Sequence, residues 1–215
     1  MIVGLIPARR GSKRVHNKAM RIVNGKPLLY WTMKAVEESR LERCYLTTDY
    51  DEETPGFREL IDQFPKTKYI KRPDELCQDA SPASTYIDHF LGIPGMDTYS
   101  DICLLQPTCP LRRSDDINKA IKLYKQGSDS LISGYRIFKN YLYDEEIKTI
   151  YGTKLDKSKY VFTRNSAIYI FSTQYFKTYG TIFSPNPVLY EMDMPDSIDI
   201  DELAHLEACE KLLKG

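Results

Sequence analysis

Two stretches of the chain carry residue types that could act on a phosphorylated substrate. The first is PARRGSKRVHNK, residues 7–18, which follows the apolar run IVGLI at residues 2–6. Gly11 allows backbone to approach a ligand closely, and successive loop amides can form a nest for an anion. Arg9, Lys13 and Lys18 can add point charges, so the ligand class is a polyphosphate; a solvated basic loop is the alternative. The spacing is neither a Walker A loop nor a GxGxxG dinucleotide fingerprint. The second stretch is DSIDIDE, residues 196–202, in which Ile198 and Ile200 alternate with Asp199 and Asp201. In an extended segment this period of two puts the isoleucines on one face and the aspartates on the other. Two adjacent carboxylates repel unless a cation lies between them, and Mg²⁺ favours one or two carboxylates completed by phosphate oxygens and water. Asp201 also stands where an N-cap for the last helix would fall, which explains it equally well.

The elements that must position these residues alternate along the chain. Apolar runs at 2–6, 44–48, 67–71, 102–106, 130–133 and 167–171 read as strands. Helical spacing of apolar residues covers 27–40, with Pro27 near the first turn, then 57–64, 83–91, 114–126 and 202–214. Ser114 is placed as the N-cap of its helix, with Asp115 and Asp116 in the first turn. Continuous apolar strands separated by amphipathic helices predict an α/β fold, a Rossmann-like, mostly parallel sheet with helices on both faces. In such sheets ligands bind beyond the carboxyl ends of the strands, where residues 7–18 leave the first one. Residues 135–163 break the rhythm. Rich in tyrosine and lysine, they are expected to form a small inserted arm that packs against a partner subunit.

The length of 215 residues suits one domain. Thirty cations balance thirty anions, so no global field draws the chain to nucleic acid or to a membrane, and neither is expected as a partner. Five scattered cysteines without a CxxC pair argue for a reducing compartment and against a zinc site. The first residues read as strand and charged loop rather than a signal peptide, and a cytoplasmic protein is expected. His16, His89 and His205 have no metal-ligand spacing, Cys103 and Cys109 have no sequence-local base, and Trp31 is read as core.

IPARRGSKRVHNK resembles the N-terminal signature of the sugar cytidylyltransferases, most closely the CMP-acylneuraminate synthetases. LTTD (46–49), RPDELCQD (72–79), LLQPTCPLR (104–112), TRNSAIYI (163–170) and SIDID (197–201) resemble their later motifs in the same order. The resemblance implies a single nucleotidyltransferase domain over 1–215 with the arm at about 135–163, working as a homodimer. It implies that a sugar acid attacks the α-phosphate of CTP, with Mg²⁺ as cofactor, giving CMP-sugar and pyrophosphate. Carried over residue by residue, it puts the nucleotide against Ala8, Arg9, Gly11, Ser12, Lys13, Lys18, Arg72 and Ser81. Gln106 would face the sugar acid, and Asp199 and Asp201 would hold Mg²⁺. Arg9, Lys18 and Asp201 would act in the transfer. Arg164 would bind the sugar carboxylate, an ion pair at the surface or core edge being the alternative.

The chain departs from the family pattern at three places. Ala19 stands where an asparagine commonly follows the signature lysine and hydrogen-bonds cytosine. Pro82-Ala83 interrupts a serine-rich run, leaving Ser81 or Ser84 for that contact. Ser166 replaces a usual glycine. The acceptor is expected to be a nonulosonic, sialic-acid-like sugar acid. The alternatives are another acceptor such as KDO, or a catalytically weak nucleotide-binding regulatory protein.

Overall fold

The structure, a computed structural model, describes residues 1–12, 14–78, 81–138, 142–144, 149–151 and 160–214. Its centre is a seven-stranded sheet. Strand β1 (Ile2–Pro7) is followed by a two-residue pair, β2 (Ile22–Val23) and β3 (Lys26–Pro27), and by helix α1 (Leu28–Glu37). Then come β4 (Cys44–Thr48), α2 (Phe57–Ile61), β5 (Thr67–Lys71), α3 (Ala83–Gly92), β6 (Asp101–Leu104) and α4 (Ser114–Tyr124). Strands β7 (Ser130–Phe138), β8 (Leu142–Asp144), β9 (Thr149–Tyr151) and β10 (Tyr160–Ser172) precede α5 (Thr173–Tyr179), β11 (Val188–Glu191) and α6 (Leu203–Lys214).

The spatial order is β11-β7-β10-β6-β1-β4-β5. The pairs β6–β1, β1–β4, β4–β5 and β11–β7 are parallel, whereas β10 is antiparallel to both neighbours, β6 and β7. Six strands therefore run one way and β10 the other. The sheet is mostly parallel, as the alternation of elements predicts. The reversal of β10 was not readable from its apolar run, because a strand buried on both faces carries the same composition in either direction.

Side chains alternate between two cores. Val3, Leu5, Tyr45, Ile102, Leu104, Tyr169 and Phe171 face α3 and α5. Ile6, Cys44, Leu46, Cys103, Ile168 and Ile170 face α1, α2 and α4. A smaller cluster of Val23, Leu28, Leu111, Ile200 and Cys209 seats α6 against the β2–β3 pair. Trp31 is half-buried rather than core, and its indole N–H donates to Val23 O at 3.2 Å.

Two helix starts differ from expectation. Ser114 is the first residue of α4 rather than its cap; Arg113 is the N-cap, and its backbone N–H donates to Asp116 Oδ2 at 2.9 Å. Helix α6 begins at Leu203, so Asp201 lies one residue too early to be its N-cap.

The arm is less an insertion than a continuation of the sheet. Residues 135–138 and 160–163 pair with each other as the outer ends of β7 and β10, and β8 and β9 form a separate two-stranded antiparallel ribbon. At its root Gly134 admits no side chain, because a Cβ there would lie 2.3 Å from Thr163 O. The remainder of the expected arm, residues 139–141, 145–148 and 152–159, lies outside the described residues.

Arg112 is the largest side chain in the interior, only 2% exposed. Its Nη1 donates to Gln106 O at 3.1 Å and to Ala167 O at 2.7 Å, and its Nη2 donates to Thr32 Oγ1 at 2.7 Å. One guanidinium thus ties the turn after β6 to β10 and to α1. Burial pulls its pKa below the usual arginine value. A lysine keeps the charge but not the planar fork of donors. Arg112→Lys should therefore lower unfolding free energy by about 2–4 kcal/mol, the cost of stranding buried partners. Urea denaturation measures it, and a loss below about 1 kcal/mol would show that the fork is dispensable.

Candidate active site

Two hollows open at the carboxyl edge of β1 and β6, and they share a wall. One, of about 180 Å³, is lined by Pro7, Ala8, Arg9, Ser12, Lys18, Ala19, Leu28, Gln106, Pro107 and Thr108. The other, of about 160 Å³, is lined by Pro7, Ala8, Arg9, Arg72, Leu76, Cys77, Gln78, Ser81, Tyr86 and Gln106. Arg9 and Gln106 stand between them. The sequence had Ala8, Arg9, Ser12, Lys18, Arg72, Ser81 and Gln106 in one site, and the fold brings all seven to this double hollow. A larger hollow, of about 590 Å³ between α1, α4 and α6, lies elsewhere and includes none of these seven.

The loop between β1 and Lys18 is pinned at both ends. At its start, Arg10 N donates to Asp49 Oδ1 at 2.8 Å, and Arg10 Nη2 reaches Asp51 Oδ2 and Thr54 Oγ1, each at 3.0 Å. At its end, Asn17 takes a left-handed φ of 55°, and its Oδ1 accepts from Tyr50 Oη at 2.5 Å. Tyr50 follows the LTTD stretch at the end of β4, so two neighbouring strand ends hold the loop. Gly11 is exposed and would meet no protein atom within 4 Å if it bore a Cβ, so the protein itself does not demand glycine there. Lys13 lies outside the described residues.

Arg72, only 3% exposed, closes the second hollow from below. It donates to Ala8 O at 2.6 Å and to Cys77 Sγ at 2.9 Å, and its guanidinium lies 5.5 Å from the centre of the Tyr86 ring. Burial raises the Tyr86 hydroxyl to about 12, so it stays protonated, and it accepts a long 3.5 Å contact from Gln106 Nε2. The Arg72 guanidinium is therefore largely engaged by protein, and it acts on the hollow by fixing Ala8 and Tyr86. Ser81 lies beside it on the hollow's wall.

The carboxylates arrive from the far end of the chain. Lys18 Nζ donates to Ile200 O at 2.5 Å and pairs with Asp201 Oδ1 at 3.4 Å; Arg14 Nη1 pairs with Asp201 Oδ2 at 3.0 Å. The Asp201 backbone N–H donates to His205 Nδ1 at 3.1 Å. Ile200 is fully buried, its N–H donates to Thr108 O at 2.8 Å, and Asp201 next to it meets the two cations; Ile198 is only half-buried. Burial raises the Asp199 carboxyl above the usual range, and the negative charge of Asp201 adds to this. The hydroxyls of Thr108 and Ser166 and the charge of Lys18 oppose it. Mutual repulsion of two carboxylates next to a cleft is what a shared cation would relieve.

Asn165 was not singled out in the sequence, yet it holds this segment in place. Its Oδ1 accepts from Ser133 Oγ at 2.7 Å and from Ala167 N at 3.1 Å, and its Nδ2 donates to Ser197 Oγ at 2.8 Å. Ser133 and Ser197 lie 32 residues away on either side, which no local pattern reveals. Arg112 was missed for the same reason. Arg164 lines neither hollow. It is exposed, with its guanidinium 5.1 Å from the centre of the Phe183 ring. Cys103 and Cys109 are fully buried, and burial pushes both thiols up to about 12, so neither is a nucleophile at neutral pH.

Residues 3–214 match the model of a family described as cytidylyltransferase. An N-acylneuraminate cytidylyltransferase of Escherichia coli O18:K1:H7 is 31% identical over 218 residues, covering 96% of this chain and 50% of that one. A CMP-N,N'-diacetyllegionaminic acid synthase of Legionella pneumophila is 33% identical over 135 residues, covering 61% of this chain and 56% of that one. The chain thus spans about half the length of these relatives. Among solved structures, a CMP:2-keto-3-deoxy-manno-octonic acid synthetase complexed with CTP superposes with a TM-score of 0.71 over 99% of this chain and 98% of that one. At 15% identity this likeness speaks to fold.

Ser166 interrupts β10, where the pairing with β7 shifts register between Arg164 and Tyr169, and it holds a left-handed φ of 60°. A side chain in that conformation costs about 1 kcal/mol or more, which glycine does not incur. Ser166→Gly should therefore raise the thermal midpoint by about 2–4 °C for a chain of this size. A fall in scanning calorimetry would show instead that the hydroxyl's contacts with Tyr169 and Asp199 outweigh the strain.

Proposed function

The chain belongs to the cytidylyltransferase family, and from that premise we propose that it transfers CMP from CTP to a nonulosonic, sialic-acid-like sugar acid, releasing pyrophosphate. The observation that carries this reading is the double hollow meeting at Arg9 and Gln106, with the Lys18–Asp201 pair beside it. The hollow lined by Arg9, Ser12 and Lys18 receives the triphosphate; the one lined by Arg72, Ser81 and Tyr86 receives the cytidine. Ala19 supplies no amide to the base, so the cytosine contacts fall to that second hollow.

In the reaction the anomeric oxygen of the sugar acid bonds to the α-phosphorus, the bond to the bridging oxygen breaks, and pyrophosphate leaves with its electron pair. The hydroxyl proton passes to water. Arg9 and Lys18 offset the charge that grows on the leaving group, and Gln106 orients the acceptor at the junction of the hollows. Asp199 and Asp201 fit Mg²⁺ as a carboxylate pair completed by substrate phosphates. The ion would supply charge neutralisation at the phosphate oxygens. The names of the E. coli and Legionella relatives support an acylneuraminate- or legionaminate-like acceptor over a shorter sugar acid.

The expected result is pyrophosphate release when the protein meets CTP, Mg²⁺ and a nonulosonic acid. Lys18→Ala and Asp201→Asn should each cut turnover by about a hundredfold or more, roughly 3 kcal/mol of barrier. CTP binding without pyrophosphate release from any sugar acid would make the chain a nucleotide-binding regulatory protein. Wild-type kinetics in both variants would overturn the site assignment.

The homodimer belongs to the same proposal. Ile137 and Val161, at the root of the arm, are each 44% exposed, an apolar edge that a second copy would cover. Sedimentation at micromolar concentration should give a dimer, and Ile137→Asp should shift it toward monomer. A monomeric wild type would refute the interface.

A further inference from the structure

Asp201 carries two cations of different character. Lys18 is built in: its side chain is only 14% exposed, and its ammonium has a second acceptor in Ile200 O at 2.5 Å. Arg14 is not: its side chain is 67% exposed, on a loop segment that begins at the unobstructed Gly11, and it reaches across to Asp201 Oδ2 at 3.0 Å. Together they take both carboxylate oxygens, Oδ1 facing Lys18 and Oδ2 facing Arg14. A divalent cation bound through Asp201 would compete with Arg14 for Oδ2. An incoming triphosphate would offer the guanidinium a stronger acceptor than a half-exposed carboxylate.

We infer that Arg14 is an exchangeable counter-ion: it occupies Asp201 in the substrate-free protein and moves to the triphosphate when nucleotide enters, freeing that carboxylate oxygen for the metal. This rests on the reading of Asp201 as a metal ligand. The exchange couples nucleotide and metal binding without any movement of the sheet. It also gives Arg14 opposite effects on the two ligands. Against metal alone it is a competitor; toward nucleotide alone it is a contact. A residue that merely shapes the loop would shift both affinities the same way or neither.

The test is Arg14→Gln, with Mn²⁺ as the probe metal, titrated into nucleotide-free protein by electron paramagnetic resonance. CTP binding is measured separately by calorimetry without metal. Mn²⁺ should bind about two- to fivefold more tightly to the variant, the range for releasing an exposed ion pair. That gain should shrink at high salt, where the pair is already screened. CTP should bind several-fold more weakly, about the loss expected for a charge-assisted contact. Arg14→Lys, which keeps the charge but not the forked geometry, should move both affinities less. Because Arg14 is exposed, the thermal midpoint should hold, and a large drop would indicate a structural role and overturn the inference. So would Mn²⁺ affinity that is unchanged or weakened in Arg14→Gln. Asp201→Asn separates this failure from failure of the metal reading. If Mn²⁺ binding ignores Asp201, the metal site lies elsewhere and the exchange falls with it. If binding needs Asp201 but ignores Arg14, only the exchange is wrong.

Discussion

A buried guanidinium held by carbonyl and hydroxyl oxygens, with no carboxylate bonded to it among the described residues, holds the site together. Burial disfavours the charge of Arg112, the Cys109 and Cys103 thiols and the Asp116 carboxylate offset it in part, and the guanidinium donates to the carbonyls of Gln106 and Ala167 and the hydroxyl of Thr32. Burying a charge in this way is costly unless each dipole is well placed. The arrangement therefore tolerates little displacement of the three elements it joins. Gln106, whose carbonyl Arg112 holds, presents its side chain to both hollows. Ala167 continues from Asn165, which anchors Ser197 and, through it, the Asp199–Asp201 segment. Geometry at the hollows is thus set from inside the core rather than by the loops that line them.

The loops complete the site by electrostatic pairing. The β1 loop leaves the sheet beside the ends of β4 and β6, and its cations find carboxylates delivered by residues nearly 200 positions later. Between α6, which seats Ile200 in its own small cluster, and the backbone bond from Ile200 to Thr108, the acidic segment is fixed without a metal. The cations of the signature loop neutralise Asp201 in this state. Lys18, which lines the first hollow, thus also holds the acidic segment, through the Asp201 carboxylate and Ile200 O.

The sheet was legible because strands buried on both faces advertise themselves as unbroken apolar runs, and the helices because their spacing differs from that of the strands. Residues 2–6, 44–48 and 67–71 were placed almost to the residue. Strand direction was not legible. β10 runs backwards with the same apolar composition, and the rest of β7 and β10 was hidden in polar, tyrosine-rich sequence because those ends leave the core. At the site, residues with a local pattern were found: the cationic loop, the alternating aspartates, and Gln106 next to two prolines. Arg112 and Asn165 were not, since the contacts that give them their roles, to Ala167 and Thr32 and to Ser133 and Ser197, span more than 30 residues and neither residue type announces a role. The N-cap alternative for Asp201 was reasonable on spacing and failed by one residue, because α6 begins only at Leu203.

Ser166 shows how a departure from a family pattern can be read once the backbone is known. Its φ of 60° explains why glycine suits the position, since the bulge in β10 demands a left-handed residue. Serine accepts that strain and adds a hydroxyl that lies 3.3 Å from the Tyr169 hydroxyl and helps to hold the Asp199 carboxyl down against burial. Thr108 supplies a second hydroxyl to the same carboxylate from the β6 side. Asp199 has no direct ion pair among the described residues; burial raises its carboxyl, and the Thr108 hydroxyl, the charge of Lys18 and the Ser166 hydroxyl oppose that rise. The two aspartates, adjacent in sequence pattern, are thus held differently: Asp201 by direct ion pairs to Arg14 and Lys18, Asp199 by hydroxyls and by the charge of Lys18 without a direct pair.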